Sequence, residues 1–206
     1  MKLLAFDTCL DKTYVTLYDG INFNNKVILS TGENYHSAFL ISTIVEVLKE
    51  HNYTPNDLDY IATDIGPGSF TGIRACTTVA RMLAQQLNIG LVGVSSLEIL
   101  SKILGSSDIV ALDARKNKAY LYDKEILGAI ELEKTCELIK GKRVITDNSL
   151  MEMLKEFSSD TVSYQQNDYP LGEILAKTAI EKIKSGADTD WRKLKPLYIQ
   201  PPPVFK

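Results

Sequence analysis

Histidine is nearly missing from this chain, with two residues in 206. That scarcity excludes a histidine-rich metal site, which draws several imidazoles to one ion. Cysteine is little better represented. Cys9, Cys76 and Cys136 are odd in number, far apart and without metal-binding spacing, so neither a disulfide framework nor a zinc motif is expected. Free thiols in a reducing cytoplasm fit that usage. A basic surplus is lacking as well. The net charge is −3, and nucleic-acid affinity rests largely on cations that neutralise phosphates, so the chain is not expected to grip RNA or DNA alone. Residues 1–104 carry 7 basic and 10 acidic side chains and the remainder 16 of each, so neither half is a basic module. No run reaches the roughly 18 apolar residues of a membrane span. The opening "MKLLAFDTCLD" breaks at Asp7 and makes no signal-peptide core. The expectation is a cytoplasmic protein without membrane contact.

What is present is an alternation of strand and helix signals in a chain of ordinary composition, 45% hydrophobic and 24% charged. "KLLAF", "TYVTLYD" and "INFNNKVILS" read as three consecutive antiparallel strands split by polar or glycine-containing turns. "YHSAFLISTIVEVLKEH" has helical spacing through Leu40, Ile41, Ile44, Val45 and Leu48. "LDYIATDI" predicts a strand, Thr71 to Leu87 a second helix, "GLVGVS" a buried strand and "SLEILSKIL" a third helix. After the linker "GSSD" the pattern restarts. Two strands in "IVALDARKNKAYLYDKE" meet at a polar turn at Lys116-Asn117, followed by a strand in "KRVITDN" and helices in "SLMEMLKEF" and "GEILAKTAIEKIKSG". Strand pairs open both halves, which is compatible with a duplication. The expected division is an N-terminal lobe at 1–104 and a smaller lobe at 105–206, with the proline-rich 196–206 tail packing back on the first lobe.

Between a strand and a helix lies "DIGPGSFTGIRAC". Gly66, Gly68 and Gly72 permit left-handed backbone or close approach, and Pro67 fixes its own φ. Ser69 or Thr71 can cap the helix, whose amides and dipole suit an anion, with Arg74 in the first turn. The spacing G-x-G-x-x-x-G is one residue off the dinucleotide fingerprint and has no P-loop lysine. Two readings stand: a tight structural corner, or a residual phosphate/anion site of Asp7, Thr8, Gly66, Gly68, Ser69, Thr71 and Arg74.

Taken with "LLAFDTCLDKTYVTL", "HSAFLISTIVEVL", "GVSSLEIL", "LDARKNKAY" and "KPLYIQ", this turn resembles the TsaB (YeaZ) family of tRNA threonylcarbamoyladenosine biosynthesis proteins. The likeness is closest from Met1 to about Tyr120 and returns at Pro196–Gln200. It implies an α/β, two-lobed actin-like/Hsp70-like (ASKHA, ribonuclease H-like) fold. It further implies work beside a catalytic paralogue, TsaD, and an ATPase, TsaE, which together modify adenosine 37 of tRNA to N6-threonylcarbamoyladenosine (t6A37). TsaB proteins are regarded as non-catalytic activators of TsaD that also form homodimers through the same surface.

Three departures from the catalytic pattern agree with a non-catalytic role and an absence of catalytic residues, metal and cofactor. The paralogue's metal needs two histidines four apart on the first helix; here His36 is followed by Leu40. His36 reads as a helix-start residue and His51 as a partner of the helix C-terminal dipole. The superfamily's Asp-x-Gly phosphate loop reads Asp7-Thr8-Cys9, which gives Asp7 a structural or vestigial role. "ITDNSL" lacks the glycine pair that lies under adenosine in nucleotide-binding relatives, and Asn148 and Ser149 would obstruct a nucleotide. Weak nucleotide binding at the complex interface stays open.

Both helices are apolar on more than one side, and a second apolar stripe implies burial against something else. The reading is either two well-buried core helices or, with the family in view, a helix-pair interface for TsaD or a second copy. The candidate residues are Leu40, Ile41, Ile44, Val45, Ile73, Ala75, Cys76, Val79, Ala80 and Leu83. Asp113 and Arg115 are expected to pair at a strand end, or else to place Arg115 toward tRNA or nucleotide; Tyr198 is expected to pack on the body. The rivals are a stand-alone ATPase or small-molecule kinase of the same superfold, a peptidase for which no nucleophile–base pair is visible, and a purely homodimeric binding module.

Overall fold

Strand alternation and helical spacing become ten strands and six α-helices in a computed structural model that describes residues 1–29, 36–105 and 108–200. The side chain of His36, the linker serines 106 and 107, and residues 201–206 of the expected tail lie outside the described residues. The chain divides into two compact units. One comprises Met1–Ser96 with Leu171–Leu197, the other Leu97–Pro170 with 198–200. The boundary expected near Leu104 therefore lies eight residues earlier. The helix in "GEILAKTAIEKIKSG", read as part of the second lobe, belongs to the first.

The first unit is a five-stranded sheet of β1 (Leu3–Asp7), β2 (Thr13–Tyr18), β3 (Phe23–Ile28), β4 (Tyr60–Asp64) and β5 (Gly90–Val94), ordered β3-β2-β1-β4-β5. β1, β2 and β3 are antiparallel neighbours, while β4 and β5 add in parallel, with Phe6 opposite Thr63. Every residue of β1 is buried, as befits a strand with both sheet faces covered. One face packs Leu4, Phe6, Val15, Leu17 and Ile61 against α1 (Leu40–Glu50) and α2 (Phe70–Leu87). Each of these fully buried aliphatic or aromatic side chains contributes roughly 1.5–3 kcal/mol. The opposite face carries Leu3, Ala5, Tyr14 and Thr16, and α6 (Leu171–Lys184) lies on it closely. A Cβ at Gly172 would come within 2.3 Å of the Thr16 hydroxyl.

The helix limits have local causes. Ser69 caps α2 by accepting the Gly72 amide at 3.2 Å, and Asn88, in the left-handed region at φ 53°, ends it. α1 follows a 3-10 turn, His36–Phe39, whose last carbonyl accepts the hydroxyls of Ser42 and Thr43. A short helix α3 (Ser96–Leu100) begins at the edge of this unit.

The second unit repeats the topology. Its strands are β6 (Ile109–Asp113), β7 (Lys118–Asp123), β8 (Glu125–Glu131), β9 (Arg143–Thr146) and β10 (Asp160–Ser163), in the order β10-β9-β6-β7-β8. Numbered within the unit this is again 3-2-1-4-5, with the same antiparallel and parallel pairs. Its helices α4 (Leu132–Leu138) and α5 (Met151–Lys155) are short, and its core gathers Ile109, Ala111, Leu121, Ile139, Val144 and Leu154. β8, α4 and β10 were not read from the sequence, since segments of four to seven residues are too short for periodicity to declare.

Candidate functional site

The glycine turn is a corner in which backbone touches backbone. A Cβ on Gly72 would lie 1.8 Å from the carbonyl oxygen of Thr8, and one on Gly68 2.3 Å from that of Cys9. The Ser69 amide donates to the Cys9 carbonyl at 2.7 Å, and the Thr8 hydroxyl donates to the Gly72 carbonyl at 2.8 Å. The glycines are thus spent on seating the β1–β2 turn against the start of α2. The space a phosphate would need at Gly68 and Gly72 is filled by Thr8 and Cys9. These residues do not fit a phosphate cradle, and of the two sequence readings the structure has the tight corner. Arg74 lies outward, its guanidinium 3.9 Å from the centre of the Phe70 ring, and Thr71 is exposed.

Behind the corner is a buried polar cluster that the sequence reading took only in part. β1 and β4 run parallel and each ends in an aspartate, so register sets Asp7 beside Asp64. Asp64 accepts the Gly66 amide at 2.7 Å and, through both oxygens, the Ser96 hydroxyl at 2.9 and 2.7 Å. The Ser96 amide returns a bond to the Gly66 carbonyl. Asp7 accepts the Cys9 amide at 2.5 Å through Oδ1, whereas its buried Oδ2 has no hydrogen-bond partner among the described residues. The Cys76 sulfur receives the Thr8 amide at 3.0 Å and lies 3.0 Å from the Thr8 hydroxyl.

Burial dominates the electrostatics. It pushes the Asp7 carboxyl up to about 8, with the nearby Cys76 sulfur adding to the rise. Asp64 is pushed well above the carboxylate range by burial and then by Asp7. The Cys9 thiol is raised by burial. For Cys76 burial also acts upward, but hydrogen bonds from Cys9, Thr8 and Thr63 outweigh it and bring the thiol below its ordinary value. Hydrogen bonding to the charged form and desolvation are here in direct opposition. Asp64, Cys9 and Ser96 were not named as site residues. A signal was available in two parallel strands ending "FD" and "TD".

The helix-pair residues separate by face. Leu40, Ile44, Ile73, Cys76 and Ala80 point into the core, at most 5% exposed, so direct contact with a partner by these five is corrected to a core role. Ile41 and Val45 stand out from α1, 56% and 59% exposed, and Met82 from α2 at 47%. Ala75, Val79 and Leu83 are half-buried beside them. Along the outward side of α2 a groove is lined by Arg74, Thr78, Arg81, Met82, Trp191 and Pro196. The segment leading to the tail packs on this unit, with Leu194 in its core and the Leu197 amide bonded to the Ile65 carbonyl. Tyr198, 40% exposed, is grouped with the second unit instead.

In the second unit Arg115 pairs with Asp113 at 3.3 Å while its own side chain is 86% exposed, so the strand-end pairing is present. Arg115, Lys116 and Asn117 all adopt left-handed backbone in the β6–β7 turn. Asp147 accepts the amides of Asp113, Ser149 and Leu150, and Asn148 accepts the Ser163 hydroxyl. These bonds tie the Asp147–Ser149 turn to β6 and β10.

An actin-like, ribonuclease H-like architecture is defined by this duplicated topology, and comparison with known proteins places the chain within it. A solved structure, YeaZ from Pseudomonas aeruginosa, superposes with a TM-score of 0.77 over 96% of this chain and 99% of that one, at 20% identity. The family model for TsaD, tRNA N6-adenosine threonylcarbamoyltransferase, matches residues 28–186. The tRNA threonylcarbamoyladenosine biosynthesis protein TsaB of Buchnera aphidicola subsp. Schizaphis graminum is 35% identical over 126 residues, 57% of this chain and 58% of that protein. TsaB of Bacillus subtilis is 39% identical over 101 residues, 49% of this chain and 44% of the other. The chain therefore spans about half the length of these curated relatives. It belongs to the TsaB/YeaZ branch of the tRNA N6-adenosine threonylcarbamoyltransferase family.

Proposed function

We propose that this chain is a non-catalytic activating subunit of the machinery that forms N6-threonylcarbamoyladenosine at position 37 of tRNA. It binds the catalytic subunit TsaD through the outward faces of α1 and α2. TsaE and tRNA meet the complex rather than this chain alone, a second copy can take the TsaD position in isolation, and the cytoplasm is the place of action. The observation that carries this reading is the helix pair: Ile41 and Val45 on α1 and Met82 on α2 expose large apolar side chains on two helices that share the core over one sheet face. Exposed apolar groups on neighbouring helices favour burial by another protein. The filled glycine corner supports the non-catalytic half, since it leaves no phosphate cradle there. No helix among the described residues is long and apolar enough to cross a membrane.

The experiment is t6A formation on tRNA by TsaD, TsaE and a threonylcarbamoyl-AMP synthase. It is run without this chain, with it, and with its Val45→Glu variant. Val45 replaces the Ala80 position suggested by sequence, because Ala80 is fully buried and a charge there would unfold the unit. Product only with the unmodified chain, and its loss with a still-folded variant, is the expected result. Equal product in all three overturns the proposal. ATP turnover by this chain alone, abolished by Asp7→Ala, would establish the stand-alone ATPase instead.

A further inference from the structure

The three elements that meet behind the glycine corner bring together side chains that sequence spacing kept apart. Cys9 lies just past β1 and Cys76 two turns into α2, yet an oxygen of Asp7 and the sulfurs of Cys9 and Cys76 all lie within 4.8 Å of one another. Each of the three is at least 98% buried, with exposures of 2%, 2% and 0%. One feature points to a ligand. Oδ2 of Asp7 is buried with no hydrogen-bond partner among the described residues, and a buried unsatisfied carboxyl oxygen is costly.

We infer that Asp7, Cys9 and Cys76 form a buried site for one thiophilic divalent cation of the Zn²⁺ type. Two thiolates and a carboxylate are a donor set that such ions accept, and small inward shifts bring these atoms to the sulfur and oxygen distances of about 2.3 and 2.0–2.2 Å that zinc requires. Binding releases the two thiol protons and any proton held on Asp7 to solvent, leaving the metal–thiolate bonds in their place. The ion would give the orphaned carboxyl oxygen a partner. It would also tie the β1–β2 turn to α2 at the point where Gly72 seats them. The role is structural, and it stands independently of any partnership with TsaD.

The test uses Cd²⁺ and Zn²⁺ on the full chain, added both to folded protein and during refolding, because full burial slows entry. One Cd²⁺ per chain after gel filtration, with a thiolate-to-metal charge-transfer band in the ultraviolet, is expected. The band should be lost in Cys9→Ser and Cys76→Ser and unchanged in Cys136→Ser. Asp7→Asn, nearly isosteric, keeps the band but weakens binding by about tenfold or more. Zn²⁺ should raise the melting temperature of the unmodified chain more than that of Asp7→Asn, which serves if a cysteine variant fails to fold. Absence of the band after both loading routes overturns the inference. A band that follows Cys136, or a Zn²⁺ shift identical in Asp7→Asn, does the same.

Discussion

The two units share a topology and an acid pair, yet treat that pair in opposite ways. Each ends its first strand, and closes its fourth, with aspartates: Asp7 and Asp64 in one unit, Asp113 and Asp147 in the other. In the first unit both carboxyls are buried, and they bind backbone amides and Ser96. In the second unit they are half-exposed, Asp113 beside Arg115 and Asp147 spanning its own turn. What differs is the covering. An 18-residue α2 and the glycine corner close over Asp7, whereas the matching helix α5 has five residues and closes over nothing comparable. Topology alone therefore does not determine the chemistry of a strand end; the length and seating of the next helix do.

The largest effect expected on this contrast comes from its glycines. Gly72→Ala drives a methyl group into the Thr8 carbonyl, and a main-chain clash of that kind costs at least about 3 kcal/mol, enough to lose a marginal domain. Gly141→Ala in the second unit meets nothing within 4 Å and strains only the left-handed backbone at φ 71°, about 1 kcal/mol. Urea unfolding of the two variants separates them; a mild Gly72→Ala would refute the filled corner.

Next comes pH. Asp7 in the folded protein titrates near 8, against 3.8 ordinarily. Between those values the native state holds a proton that the unfolded chain has released. Its contribution to stability is thus complete below the ordinary value, falls as pH rises through the window, and is gone above about 8. Asp7→Asn in a chelator should flatten that slope and stabilise the chain at the alkaline end, by more than about 1 kcal/mol. Asp113→Asn should leave the profile as it is. Melting curves across the window decide, and parallel profiles for Asp7→Asn and the parent would end the contrast.

The smallest expected change in stability belongs to the exposed apolar side chains. Val45→Glu in the first unit and Phe157→Glu in the second, at 59% and 40% exposure, should each shift stability by only about 0.5 kcal/mol. Only the first should abolish co-purification with TsaD. If both or neither do, the interface lies elsewhere.

Much of this was legible in the residues. Leu40, Ile44 and Leu48 against Ile41 and Val45 separate the inner and outer stripes of α1 as their spacing suggests, and the turn at Gly66–Gly72 stands out by composition. Less legible were Ile73, Cys76 and Ala80. A helix with apolar residues on several sides does not say which side the sheet takes.

Local pattern determined most of the strands and helices and the family motifs, though not β8, α4 and β10, because pleat and helical pitch depend on near neighbours in sequence. Tertiary structure decided the rest. It returned α6 to the first unit, filled the glycine corner with Thr8 and Cys9, and brought Cys9 within reach of Cys76. Those outcomes depend on parallel strand register and close packing between segments 55 to 68 residues apart, and no local spacing in the sequence records such contacts.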